Sequence, residues 1–296
     1  MRKFIFTLGV AVMTALAPAG AIAQQTLEEA TDSIKNVLEM AKKGDATAQN
    51  EVGGWYYRGR HVKQNYEEAL QWWAKSAKQG NPQAIGNMGL CYRTGHGIDA
   101  DSAKASQLYL RSIKAGNKTL LAQNVESARK GNVFSNMLVA ACYRNGIGVG
   151  KDAAKAVPFL TVAAEKDCLP AQRELALILL NDKKAADAAV WFKKGAQAGD
   201  MMCTFYYGKM LLEGLGVKPD KKDGANYLLK AAEGGFPQAM YYVGNCYMTG
   251  DGLTKNAEQA VRWYKPAAGA GVANAQWALA QCYREGNGTP VNYDLA

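Results

Sequence analysis

Apolar and small residues recur along this chain at spacings of three and four. Ala48, Val52, Gly53 and Tyr56 share one face of a 3.6-residue period. Gly59 follows where a helix end needs a residue that tolerates the left-handed conformation. After a polar stretch anchored by Val62, Asn65 with Glu68 reads as a helix start; Asp220 with Asp223 and Asn256 with Gln259 repeat that signature. Ala69, Trp72, Trp73 and Ala77 then form a second inward face, which ends at Gly80. The pattern predicts two helices, A and B, joined by a glycine turn. Small residues such as Gly53 and Ala69 let the two approach closely, and the large aromatics fill the wedge between successive pairs.

The pair repeats. When Ala48–Asn81 is set above Ala239–Val272, the same skeleton returns: Ala, Val-Gly, Tyr, Gly, an aliphatic residue, Asn, Ala, Trp, Ala, Gly. The leading alanines Ala48 and Ala84 are 36 residues apart, as are Cys203, Ala239 and Ala275. A fixed period of this length dictates a stacked array, because one helix pair cannot bury its apolar face alone. Units start at Ala48, Ala84, Ser135, Ala171, Cys203, Ala239 and Ala275. The predicted organisation is a half-repeat cap over 24–47, repeats 1 and 2 over 48–116, an extra helix over 117–134, irregular repeats 3 and 4 over 135–202, repeats 5 and 6 over 203–274, and an incomplete repeat 7 over 275–296. The unit at Ala171 lacks the glycine turn and is four residues short, so the superhelix is expected to change curvature around 117–190, giving two sub-arrays in one solenoid. The final stretch REGNGTPVNYDLA aligns with Arg58–Ala69, so the chain stops where a helix B is due. Either the array is expected to continue beyond Ala296, or a partner or a second copy covers the uncapped face.

These recurring positions resemble the Sel-one-like repeat (SLR), a relative of the tetratricopeptide repeat (TPR), across essentially the whole chain after its first 23 residues. The resemblance implies an all-α, TPR-like α-α superhelix that scaffolds protein–protein contacts, often in the bacterial envelope or in quality-control assemblies.

The first 23 residues follow another pattern. Arg2 and Lys3 precede an apolar run from Phe4 to Ala17, and Ala21-Ile22-Ala23 offers a small-x-small cleavage site before Gln24. This reads as a secretory signal peptide. The run is too short for a membrane span, and no later segment is apolar enough for one. Export to the periplasm or the exterior is expected. The chain carries 35 basic and 26 acidic residues; losing Arg2 and Lys3 leaves 33 against 26, or +7. The basic residues are spread rather than clustered, which argues against nucleic acid as a partner.

Candidate chemistry is sparse. His61 and His96 are the two histidines; both fall in turns and read as solvated, with no cluster at metal-ligand spacing, so no metal and no cofactor is expected. Cys91, Cys142, Cys246 and Cys282 each precede the helix A tyrosine, an apolar position taken elsewhere by Trp55, Ile178 and Met210. Cys168 is placed at the end of a helix B and Cys203 at the start of a helix A. Equivalent sites in adjacent units lie about 9–10 Å apart, beyond disulfide reach, so free buried thiols are expected. A cysteine-rich branch of the resembled family pairs its cysteines at eight-residue spacing and is linked to β-lactam processing; that spacing is absent here. Ser127 and Lys130 match a Ser-x-x-Lys pair, but Lys118-Thr119-Leu120 is not Lys-Thr-Gly, so no catalytic residues are assigned. The alternatives kept open are such a hydrolase and a secreted factor that binds a host protein.

Binding is expected on the stripe of helix A that the core leaves unclaimed, the second, sixth and ninth positions after the leading residue. In tetratricopeptide relatives this stripe lines the concave groove. Its columns contain Phe205, Tyr241 and Trp277; Lys209, Asn245 and Gln281; and Leu212, Met248 and Arg284. In the N-terminal half the last column holds Tyr57, Arg93 and Arg144. An aromatic ladder beside a hydrogen-bonding ladder suits an extended peptide or a protein partner, with the arginines available for carboxylates.

Overall fold

The computed structural model describes residues 19–296, with side-chain surroundings from residue 31. Residues 1–18, the bulk of the expected leader, lie outside the described residues. The described residues form fifteen α-helices and no strand. No helix among them is long and apolar enough to cross a membrane.

The chain divides into two compact units. The first, Met1–Ala115, holds α1 (Ala19–Lys43), α2 (Ala46–Arg58), α3 (Tyr66–Lys78), α4 (Pro82–Thr94) and α5 (Ser102–Lys114). The second, Gly116–Ala296, holds α6 (Lys118–Arg129), α7 (Val133–Asn145), α8 (Ala153–Glu165), α9 (Leu169–Asn181), α10 (Ala185–Gln197), α11 (Met201–Glu213), α12 (Lys221–Glu233), α13 (Pro237–Thr249), α14 (Ala257–Gly269) and α15 (Ala273–Glu285). Within each unit every helix packs on the next in sequence.

Local chemistry sets the helix ends. Asp or Asn side chains accept the amide three residues on at Asp45, Asn65, Asn81, Asp101, Asn132, Asp152, Asp200, Asp220 and Asn256. Six helices A end on a left-handed glycine, with φ between 66° and 88°. The shortened repeat lacks it: α9 ends at Asn181, and Lys183, two residues on with a φ of 61°, puts a side chain in that conformation. Lysine there costs about 1–2 kcal/mol relative to a right-handed residue.

Packing of A against B rests on a size exchange. A Cβ on Gly53 would stand 2.6 Å from the Trp73 ring. Gly89 makes the same space for Tyr109, and Gly244 for Tyr264. Trp73 is 2 % exposed and donates its Nε1–H to the carbonyl of Asn50 at 3.0 Å. Where the ring is replaced by Leu228, Gly208 sits directly over the α12 backbone, 2.9 Å from the Gly224 carbonyl to a built Cβ.

Junctions between repeats use a second device, one that the period alone did not reveal. The residue after the leading position is an amide in four units, and each reaches back eight residues to a carbonyl at the end of the previous helix. Gln49 bonds Ala41 at 3.1 Å, Asn136 bonds Ala128 at 3.0 Å, and Gln172 and Gln276 bond Ala164 and Ala268, each at 3.2 Å. Each of these carbonyls accepts the backbone amide three residues on, just past the helix end, and the side-chain amide adds a second donor from across the junction. Ser76 and Ser112 do the converse, donating to Ala46 and Pro82 at 2.6 Å.

Candidate functional site

Within the second unit, the predicted stripe does not form one open ladder. Phe205 is 6 % exposed, roofed by Phe236 at 5.1 Å and Tyr242 at 5.4 Å between ring centroids. It belongs to the apolar core of α11–α14, which corrects its reading as a groove residue. The physical reason is the next repeat, whose helix A swings an aromatic over it. Tyr241 is half-buried, tilted on Tyr264 at 6.0 Å and edge-on to Tyr242 at 5.4 Å. Trp277 is 68 % exposed.

The polar column is partly spoken for. The ammonium of Lys209 lies 5.3 Å from the Tyr242 ring and 3.8 Å from Glu213. Burial works against its charge, yet the Tyr242 hydroxyl and Glu213 outweigh that and raise its pKa. Asn245 accepts the Tyr264 hydroxyl at 2.7 Å. Burial drives the Tyr264 pKa upward, so this phenol stays protonated and remains a donor. Met248 receives the Asn287 amide at 3.4 Å, and Gln281 accepts from the Arg284 guanidinium, which also pairs with Glu285 at 3.5 Å. Arg144 forms a tight ion pair with Glu174.

In the first unit, Arg93 is exposed and lies 5.9 Å from the Tyr109 ring. Tyr57 is a packing residue. Its ring contacts Tyr66 and Trp73, and its hydroxyl meets His96 Nδ1 at 2.9 Å. Burial chiefly, with Cys91 and Tyr66 nearby, raises its pKa. His96 is half-buried and stacked on Tyr66 at 4.4 Å, so it is not the solvated turn residue expected; the glycines on either side let the turn fold onto the preceding helix pair. His61 is exposed, with Trp55 edge-on at 5.1 Å.

All six thiols are free, and five are buried. Burial pushes Cys91, Cys142 and Cys246 up to about 11 and Cys203 to about 12. Cys168 is half-exposed and is the N-cap of α9 rather than the end of a helix B. No group of three or more His, Cys, Asp or Glu among the described residues is placed to hold a metal ion. Lys130 pairs with Glu126 at 3.4 Å, beside Ser127 at the end of α6.

The Sel1 repeat model matches residues 46–81, 82–117, 133–168, 169–200, 202–236, 237–272 and 273–296. Two similar solved structures share the architecture. One is c5321, a protective antigen from uropathogenic Escherichia coli strains displaying an SLR fold, at 25 % identity and TM-score 0.53, with 89 % of this chain and 62 % of that one covered. The other is a Sel1 repeat protein from Oxalobacter formigenes, at 27 % identity and TM-score 0.53, with 90 % and 74 % covered. This chain thus spans under two thirds of the Escherichia coli protein's length. No curated protein matches. Seven matched repeats, the all-helical architecture and the two solved neighbours agree: the chain belongs to the Sel1 repeat family, of the TPR-like α-α superhelix class.

Proposed function

We propose that this protein is a non-enzymatic interaction scaffold of the bacterial envelope that holds an extended peptide or partner segment along the helix A stripe of α13 and α15. The observation that carries the reading is Tyr241, which stays half-exposed although α15, the helix A that follows it, is in place, with Trp277 at the same register position one repeat on. Asn245 and Gln281 stand beside the two rings by register. Exposed aromatics next to amides suit recognition of a peptide, rings taking side chains and amides pairing with its backbone. Export through the expected leader places the scaffold outside the cytoplasm. The likeness to c5321, a protective antigen, supports a second reading, in which the partner is a host protein.

Peptide display on the purified chain tests the stripe. Selected peptides are expected to lose at least tenfold in affinity on Trp277→Ala and on Tyr241→Ala, as anchors of about 1.4 kcal/mol or more would require. Peptides that bind both variants as well as the native chain would sink the reading.

A further inference from the structure

The shortened fourth repeat leaves a gap that the other repeats fill. In four junctions the second glycine of the turn after helix A sits on the first residue of the preceding helix B. A Cβ on Gly97 would stand 2.7 Å from the Tyr66 carbonyl carbon, and one on Gly216, Gly252 or Gly288 would run into the backbone of Ala185, Lys221 or Ala257. These four partners are the first residues of α3, α10, α12 and α14. The residue between the two glycines also reaches back. His96 stacks on Tyr66 and bonds the Tyr57 hydroxyl; Asp251 pairs with Lys221 at 2.5 Å; Asn287 bonds Met248. Tyr57 and Met248 are both ninth-position residues of the preceding helix A.

At the fourth repeat the sequence passes from Asn181 through Asp182, Lys183 and Lys184 into α10, without those glycines. The equivalents of the covered residues are Ala153, first in α8, and Arg144, ninth after the leading Ser135. Both line a cavity of about 230 Å³, with Glu174, Leu177, Ile178, Asn181 and Asp182. The cavity is therefore the place of the missing turn. Its wall is already built: Ala153 is exposed, Glu174 holds the Arg144 guanidinium, and Leu177 and Ile178 supply an apolar side.

We propose that this cavity receives a glycine turn of a partner protein, with an acidic side chain at the turn's tip directed to Arg144. The inference rests on the scaffold reading above but uses a different surface. The contacts made by the chain's own turns select the occupant. A small residue is needed over Ala153, because the four intact junctions leave no room there for a side chain. A carboxylate suits the tip, as Asp251 shows at its own junction against Lys221. Arg144 offers a planar fork of donors, of which Glu174 uses one side.

The test uses a cyclised peptide carrying this chain's own sixth-repeat turn, Thr249–Asn256, and a version with alanine in place of the aspartate. Saturable binding of the acidic peptide to the purified chain is expected, at least tenfold tighter than the alanine version. Inserting Gly-Leu-Gly-Val between Asn181 and Asp182 restores a full turn and should abolish binding. Ala153→Trp, a change at an exposed helix start that leaves the fold intact, should do the same, and Arg144→Ala should weaken binding at least tenfold. Tyr241→Ala should leave it unchanged, which separates this site from the stripe. No saturable binding, equal binding of both peptides, or binding that survives Ala153→Trp overturns the proposal. Self-association of the chain that Ala153→Trp abolishes would also overturn it, by making a second copy the occupant.

Discussion

Two adjacent glycines, Gly53 and Gly54, should respond to alanine in opposite directions. Both lie inside α2, where replacing glycine with alanine contributes about 1 kcal/mol through backbone entropy. At Gly53 the new Cβ would stand 2.6 Å from Cδ1 and Nε1 of Trp73. That ring cannot step aside cheaply. It is 2 % exposed, its Nε1–H is tied to Asn50 at 3.0 Å, and Tyr57 lies 5.3 Å away on another side. Overpacking of this kind costs about 1–3 kcal/mol, and a stretched Asn50 bond adds about 1 kcal/mol. The net effect of Gly53→Ala is a loss of about 1–2 kcal/mol. At Gly54 the new Cβ meets the tip of Arg58 at 2.7 Å, an exposed side chain that can rotate away, so Gly54→Ala should gain up to about 1 kcal/mol. Thermal melts of the purified chain, followed by helical signal and by tryptophan fluorescence, should show shifts of a few degrees on either side of the native midpoint. In a Trp73→Leu background the obstruction is gone, and Gly53→Ala should become stabilising relative to Trp73→Leu alone. A Gly53→Ala variant that melts above the native chain, or that loses equally in both backgrounds, would refute the size-exchange argument.

Asp200 caps α11 at 2.8 Å and accepts Arg173 at 2.8 Å with its side chain 8 % exposed, so Asp200→Ala should cost about 2 kcal/mol and Asp200→Asn about half as much, measured as urea midpoints at constant slope. Alkylation at pH 8 should label Cys168 first and leave the five buried thiols protected until denaturant is added, with peptide mass spectrometry as the readout. Cys91, Cys142, Cys203 and Cys246 hold folded pKa values above the ordinary thiol value. Their contribution to stability should therefore be complete below that value and fall as pH rises through about 11 for Cys91, Cys142 and Cys246 and about 12 for Cys203, visible as a declining melting midpoint in alkaline buffer. Gln172→Leu should lose about 1 kcal/mol, because the Ala164 carbonyl keeps the Asp167 amide and loses its second donor, whereas the exposed Gln276→Leu should lose less, the comparison being hydrogen exchange at the ends of α8 and α14.

The helix pair was legible because its determinants are local and repeat. Asn65, Asp220 and Asn256 announce helix starts, and Gly59 and Gly250 announce ends, each through its own backbone chemistry. The exchange of Gly53 for the Trp73 ring could be inferred from residue size alone. The junction amides were less visible. Gln49, Asn136, Gln172 and Gln276 look like ordinary polar residues beside an alanine, and the eight-residue reach to a carbonyl appears only when two helices are placed end against end. An amide recurring at one register position was the available signal. His96 shows the same limit, since its partners Tyr57 and Tyr66 come from the preceding repeat.

The binding stripe was the least legible feature, and the reason is structural. Helical period identifies residues that face away from their own helix B, but accessibility in a solenoid depends on what the following repeat lays over them. Phe205 and Tyr241 are equivalent by register, yet Phe205 is buried under Phe236 and Tyr242, which come with α13, while Tyr241 packs on Tyr264 of its own helix B and stays half-exposed. The same dependence turns a deletion into a surface. Four residues missing after Asn181 alter little in α9 itself, yet they uncover Ala153 and Arg144 on the repeat before it. In an array of this kind a binding site is best sought where the repeat rule fails, because wherever the rule holds, the chain's own next turn already occupies the place.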